Sequence, residues 1–204
     1  MKKILLGIGF ALVTGMASAQ SVGVKAGLNY TTFQGDDAGQ YDYRPGYTVG
    51  VTARKGINDL IGLQTELLYT SKGAKREFST GSVNSEERLR LNYLDIPVLL
   101  SVQAGGLYFE LGPQVSFLLK GKQILEVTNA SGNTTTTTEL DITDNPYPVD
   151  LGYAAGLGYR AGSGLGIGLR YNGGLKNIDD EGLFEGRERR NTSFQLTLSY
   201  TTGF

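Results

Sequence analysis

Two groups of carboxylates, Asp36-Asp37 and Asp179-Asp180-Glu181, are of the residue type that could hold a cation. Neither follows the oxygen-ligand spacing of a calcium loop, so both read as solvated loop charges. Acid–base and nucleophilic chemistry lack their commonest base, because the 204 residues include no histidine and no cysteine. The same composition removes Cys–His and His-based zinc sites. Two glycine-rich stretches, "GLGYRAG" (Gly156–Gly162) and "GLGIG" (Gly164–Gly168), look superficially like phosphate loops. Their glycines alternate with apolar residues, and no helix follows to supply the N-terminus such a loop needs, so they read as strand glycines. An enzyme is not expected, and no cofactor or metal is implied.

What remains is a set of single charges, Lys25, Arg54, Glu66, Asp95, Glu110, Arg160 and Arg170, each set within a stretch of apolar–polar alternation. The elements carrying them are strands. Period-2 patterning recurs through the chain. Val22, Val24, Ala26, Leu28 and Tyr30 share one face, opposite Gly23, Lys25, Gly27 and Asn29. Tyr47, Val49, Val51 and Ala53 repeat the pattern, as do Ile61, Leu63, Thr65, Leu67 and Tyr69. Leu94, Ile96, Val98 and Leu100 follow, then Phe109, Leu111, Val115, Phe117 and Leu119. Leu89, Leu91 and Tyr93 have the opposite parity to Leu94, which predicts a bulge near Tyr93-Leu94. Tyr153, Ala155, Leu157 and Tyr159 form a sixth segment, and Leu165, Ile167, Leu169 and Tyr171 a seventh. The eighth, "SFQLTLSYTTGF", alternates to its last residue through Phe194, Leu196, Leu198, Tyr200 and Phe204.

The connections alternate in length. Polar stretches of roughly Gln34–Arg44, Ser71–Glu87, Lys120–Asp150 and Lys176–Arg190 read as long loops, and "TNASGNTTTTTE" (Thr128–Glu139), with Asn129 and Asn133 in Asn-x-Ser/Thr patterns, as a loop tip. Short turns fall near Lys55–Asp59, Gln103–Gly106 and Gly162–Ser163. Short periplasmic turns and long outer loops are the rule for outer-membrane barrels. The N-terminus agrees. "MKKILLGIGFALVTGMASAQ" has a basic start, a short apolar run and Ala17-Ser18-Ala19, the form of a cleaved export signal spanning 1–19. Of 19 Lys+Arg, Lys2 and Lys3 lie in that leader, which leaves 17 against 20 Asp+Glu and a net charge of −3 for residues 20–204. That balance does not favour nucleic acid.

Which face meets lipid follows from composition. The polar face consists of Gly, Ala, Ser, Thr and Gln with scattered charges, which suits the filled interior of a narrow eight-stranded barrel better than a solvated exterior. Tyr30, Tyr47, Tyr69, Tyr93, Phe109, Tyr171 and Tyr200 sit near strand ends, as girdle aromatics do. The expected fold is all-β: an eight-stranded antiparallel up-and-down transmembrane β-barrel over 20–204. It lies in outer-membrane lipid with both termini periplasmic. In lipid every backbone polar group must pair within the protein, so the sheet closes on itself. Charges are costly to leave alone in its lumen. The parity therefore predicts an ion-pair network joining Glu110 to Arg160 or Arg170, with Glu66 and Lys25 as further members.

Five segments, "VKAGLNYTTF" (Val24–Phe33), "YLDIPVLL" (Tyr93–Leu100), "LGPQVSFLL" (Leu111–Leu119), "LGYAAGLGY" (Leu151–Tyr159) and "RYNGGLKNI" (Arg170–Ile178), resemble the PorT-like outer-membrane β-barrel family of Bacteroidetes-type bacteria. The resemblance covers essentially the whole chain after the leader and implies an eight-stranded barrel. Phe204, with Tyr200 and Leu198 on the same face, resembles the terminal signal read by the barrel assembly machinery. The family's founding member is linked to protein secretion. The expected role is structural or interactive, with the outer loops contacting an envelope partner. The alternatives are a narrow pore for small solutes and an accessory role in a secretion system.

Overall fold

The computed structural model describes residues 19–35, 38–80, 83–128, 135–144, 146–178 and 188–202. Residues 1–18 of the leader, Asp36-Asp37, Asn129, Asn133, Asp179-Asp180-Glu181 and Phe204 lie outside them.

Among the described residues nine strands follow one another: β1 (Ser21–Gly35), β2 (Asp42–Gly56), β3 (Ile61–Thr80), β4 (Val83–Ala104), β5 (Leu107–Thr128), β6 (Thr135–Asp141), β7 (Val149–Arg160), β8 (Leu165–Gly174) and β9 (Arg189–Thr202). Each pairs antiparallel with its neighbour, except that β7 pairs with β5 and leaves β6 at the side. β9 pairs with β1 from Val22↔Thr202 to Gly35↔Arg189, so β1–β5 and β7–β9 close an eight-stranded ring. The expected barrel is thus present, with a ninth strand outside it.

The alternation sorts side chains as lipid requires. Val24, Leu28, Leu111, Leu165, Leu169 and Leu198 point outward, Leu28 at 69% exposure and Leu198 at 65%. On the other face Lys25, Glu66, Glu110, Gln195 and Thr197 are buried. Aromatics ring the loop end. Tyr153, Tyr171 and Phe194 run on to Tyr43 and Tyr30 at successive centroid distances of 6.0, 5.2, 6.4 and 5.0 Å, and Tyr47 meets Tyr69 at 6.0 Å. The turn end is tight. Gly105 and Gly106 take φ of 58° and 88°, which only glycine adopts cheaply, and Asn58 Oδ1 accepts from the amides of Leu60 and Ile61.

Four expectations need correction. Ser71–Glu87 is not a loop: β3 and β4 run on in register to Thr80↔Val83. Likewise β5 continues to Thr128, and Thr135–Asp141 of the threonine-rich tract is strand β6. Polarity there reflects water on the outer face above the girdle and, toward the tip of the sheet, on both faces. The bulge exists but sits on β5. Asn92 pairs with Lys120 and Tyr93 with Leu118, which leaves Leu119 as the extra residue. β4 keeps its parity, so Leu89, Leu91 and Tyr93 face the interior, and Tyr93 is not a girdle residue.

A closed ring has no edge from which to unzip. The folded protein should resist SDS at room temperature and migrate differently after boiling. Identical mobility on semi-native gels before and after heating would contradict closure.

Candidate functional site

Inside the barrel, Lys25 on β1, Glu66 on β3, Glu110 on β5 and Arg170 on β8 meet at the lumen axis. Arg170 Nη1 donates to Glu66 Oε2 at 2.7 Å, its Nη2 to Glu66 Oε1 at 2.9 Å and its Nε to Glu110 Oε1 at 2.6 Å. Lys25 Nζ donates to Glu66 Oε1 at 2.5 Å. Gln64 Nε2 bridges the two carboxylates at 2.7 and 3.2 Å. Two cations face two anions, and all four side chains are at most 4% exposed. Such burial is tolerated only with full pairing and good geometry. Between Arg170 and Glu110 runs β7, where Gly156 pairs with both. A Cβ at Gly156 would stand 2.9 Å from Glu110 Oε1, so this glycine opens the path across the strand. Arg160 lies nearer the turns, over the Tyr108 ring at 5.2 Å and 3.4 Å from Gln103 Oε1. Of the two arginines considered for Glu110, Arg170 is the one the hydrogen bonds place there.

Toward the loop end, Lys72 Nζ donates to Asp95 Oδ1 at 2.9 Å and Ser116 Oγ at 3.1 Å, beside the Tyr93 ring. Sequence reasoning missed Lys72, because it lay in an assumed loop. Extending the alternation of Gln64, Glu66, Leu68 and Thr70 by one step would have found it. Above this pair, Phe33, Ala74, Leu89, Leu91, Tyr93, Leu118, Ile142 and Ile178 form an apolar cluster across the lumen. Ile142 and Ile178 come from connecting segments folded inward, Ile142 through its amide to Gly121 O and Ile178 through its amide to Arg189 O.

The outermost region is the sheet β3–β4–β5–β6. Tyr69 marks the girdle on β3, and the strand continues 11 residues to Thr80, roughly 35 Å along the strand at about 3.3 Å per residue. Its convex face carries the pairs Lys75–Glu77, Arg88–Glu86, Arg88–Glu126 and Lys122–Glu139 at 2.8, 2.5, 3.1 and 2.7 Å. The Lys122 ammonium holds the Glu139 carboxyl below the usual carboxylate range, and the Thr143 hydroxyl and amide do the same for Asp141. Exposed pairs contribute little stability. Phe78 and Leu140 are exposed on the other face, at 41% and 55%. All seven residues of β6 are exposed, and among the described residues only β5 pairs with it.

Tyr200 and Leu198 of the expected assembly signal face outward at the turn end of β9. Among the described residues no group of histidine, cysteine, aspartate or glutamate could hold a metal ion.

A family model described as an outer membrane protein beta-barrel domain matches residues 18–180. No curated protein matches the sequence. Among solved structures, the chain is similar to Ail, the attachment invasion locus protein of Yersinia pestis, at 13% identity over 89% of this chain and 98% of that one, with a TM-score of 0.45. Neisserial surface protein A is similar at 14% identity over 90% and 97%, with a TM-score of 0.45. CarO of Acinetobacter baumannii is similar at 10% identity over 84% and 95%, with a TM-score of 0.39.

Proposed function

The chain belongs to the outer membrane protein beta-barrel domain family, and on that premise we propose that this small outer-membrane protein is a non-catalytic contact protein. The barrel is its anchor, and the sheet β3–β6 is the surface presented to an envelope or external partner. The observation that carries this reading is the sheet itself: four strands extend past the girdle and end in an edge strand exposed at every residue. An open edge invites pairing with another chain unless it is managed, and segments held on a rigid scaffold are where binding concentrates. Within the family we place the chain with the PorT-like members, on the order and spacing of the five segments quoted above. Both termini then lie on the periplasmic side with the short turns, and the terminal face ending in Phe204 engages the barrel assembly machinery during insertion.

A pore is the weaker alternative. The lumen carries a paired charge cluster, a second polar layer and an apolar cluster in series. The test is photo-cross-linking in intact cells from a probe at Thr137 on β6, with a second probe at Asn58 in a periplasmic turn. A discrete cross-linked species from position 137, absent from position 58, is expected. Cross-linking to nothing but lipid from position 137 would overturn the contact role.

A further inference from the structure

Just above the aromatic girdle, the outer face of the sheet carries cations that its own carboxylates do not meet. Tyr69 of the girdle pairs with Leu94 on β4. Two and four residues farther along β4, Asn92 lies opposite Lys120 and Arg90 opposite Lys122. Asn92 and Arg90 share the lipid-facing parity of Leu94, and Arg90 and Lys120 are exposed. Like charges directly across two strands destabilise the pairing. Lys122 is met by Glu139 at 2.7 Å. Asp141, its neighbour across β6, accepts from the hydroxyl and amide of Thr143 at 2.5 and 3.0 Å. Among the described residues no hydrogen bond or ion pair reaches the side chain of Arg90 or Lys120. On β3, across from Asn92, Ser71 Oγ accepts from Arg44 Nη1 at 3.5 Å, and the Lys72 carbonyl accepts from it at 3.1 Å. No carboxylate among the described residues pairs with Arg44 either.

Height decides what meets them. Four residues span about 13 Å of strand at about 3.3 Å each. With a tilt of about 40°, the Arg90 backbone stands about 10 Å above the girdle and that of Lys120 about 5 Å. The headgroup layer fills roughly the first 5–7 Å beyond the hydrocarbon, and long cationic side chains bend toward it readily. Farther up the same face, Lys75 and Arg88 each have a glutamate. The unpaired cations are thus confined to the level of the lipid headgroups. A phosphate takes the two parallel donors of a guanidinium and an ammonium beside them. We propose that Arg90 and Lys120, with the charge of Arg44 next to them, bind a phosphate group of an outer-leaflet lipid. Below them the exposed Leu119 and Val98 continue the apolar face on which its acyl chains lie. The lipid then seats the foot of the projecting sheet in the headgroup layer.

The probe is diphosphoryl lipid A, added over a range of concentrations to the purified, folded protein in a neutral detergent. Native mass spectrometry counts the bound lipid. The wild-type protein should take up one lipid A with a saturating curve. Arg90→Gln combined with Lys120→Gln should weaken that binding about tenfold or more, the effect of losing a single charge-assisted contact. Both side chains are exposed, so the thermal midpoint in lipid-free detergent should not move. Lys55→Gln combined with Lys75→Gln removes as much charge elsewhere on the surface and should bind as the wild type does. Equal affinity in the Arg90–Lys120 double variant and the wild type would overturn the proposal. Equal binding of lipid A stripped of its phosphates would overturn it too, because acyl contacts alone would then account for the uptake. Displacement of lipid A by an equal concentration of inorganic phosphate would assign the patch to a free anion, and the lipid would be excluded.

Discussion

Arg170→Met is expected to lower the unfolding free energy of the barrel by about 3–5 kcal/mol, the usual cost of removing one partner from a buried ion pair. The substitution leaves the buried Glu110, among the described residues, with Gln64 as its one side-chain hydrogen-bond donor. It also removes two of the hydrogen bonds to Glu66, which keeps Lys25 and Gln64. Urea unfolding in detergent, followed by circular dichroism, reads the loss directly. Adding Glu110→Gln to Arg170→Met should recover part of it, because the stranded charge is then gone. Lys75→Met, at an exposed pair on the projecting sheet, should barely move the transition. Equal and small effects at positions 170 and 75 would mean that the central cluster is screened by water and holds nothing together.

Gly73→Val is the second large effect. Gly73 lies on β3 above the girdle residue Tyr69 and takes φ of 132°, and a Cβ there would meet Leu89 O at 1.9 Å. Its own carbonyl accepts from the Thr31 hydroxyl at 2.7 Å, so the backbone is fixed from the β1 side as well. A β-branched residue must therefore carry strain of about 1–3 kcal/mol and push β4 aside. We expect a lower unfolding midpoint together with weaker cross-linking from Thr137, since the β3–β4 pairing supports the whole projecting sheet. Gly39→Ala, where a Cβ meets nothing, should leave both unchanged. A Gly73→Val protein with unaltered stability and cross-linking would show that the sheet does not depend on this junction.

How much of this was legible in the sequence depended on the environment of each residue. Within the membrane, lipid on one side and a filled lumen on the other impose strict alternation, and that alternation placed Lys25, Glu66, Glu110 and Arg170 on one face. It could not choose between Arg160 and Arg170 as the partner of Glu110. That choice rests on register, where Gly156 aligns Glu110 with Arg170 across β7. Above the girdle the outer face of the sheet meets water, and toward its tip both faces do, so the strands lose their apolar stripe. Ser71–Glu87 and the threonine-rich tract consequently read as loops although they are paired strands. Tyr93 was misplaced for a related reason. The interior changes from polar to apolar at its level, and an apolar residue facing inward there looks like one facing lipid on a bulged strand.

A barrel that is a sealed scaffold, with its work done by the sheet above it, should pass no ions. Electrical recording of the purified, folded protein in planar lipid bilayers tests this most directly. With Leu89, Leu91, Tyr93 and Leu118 closing one end of the lumen and the Arg170 cluster bridging its middle, we expect a membrane as resistive with the protein as without it, at every voltage the bilayer survives. Steady single-channel steps from the wild-type protein would contradict it.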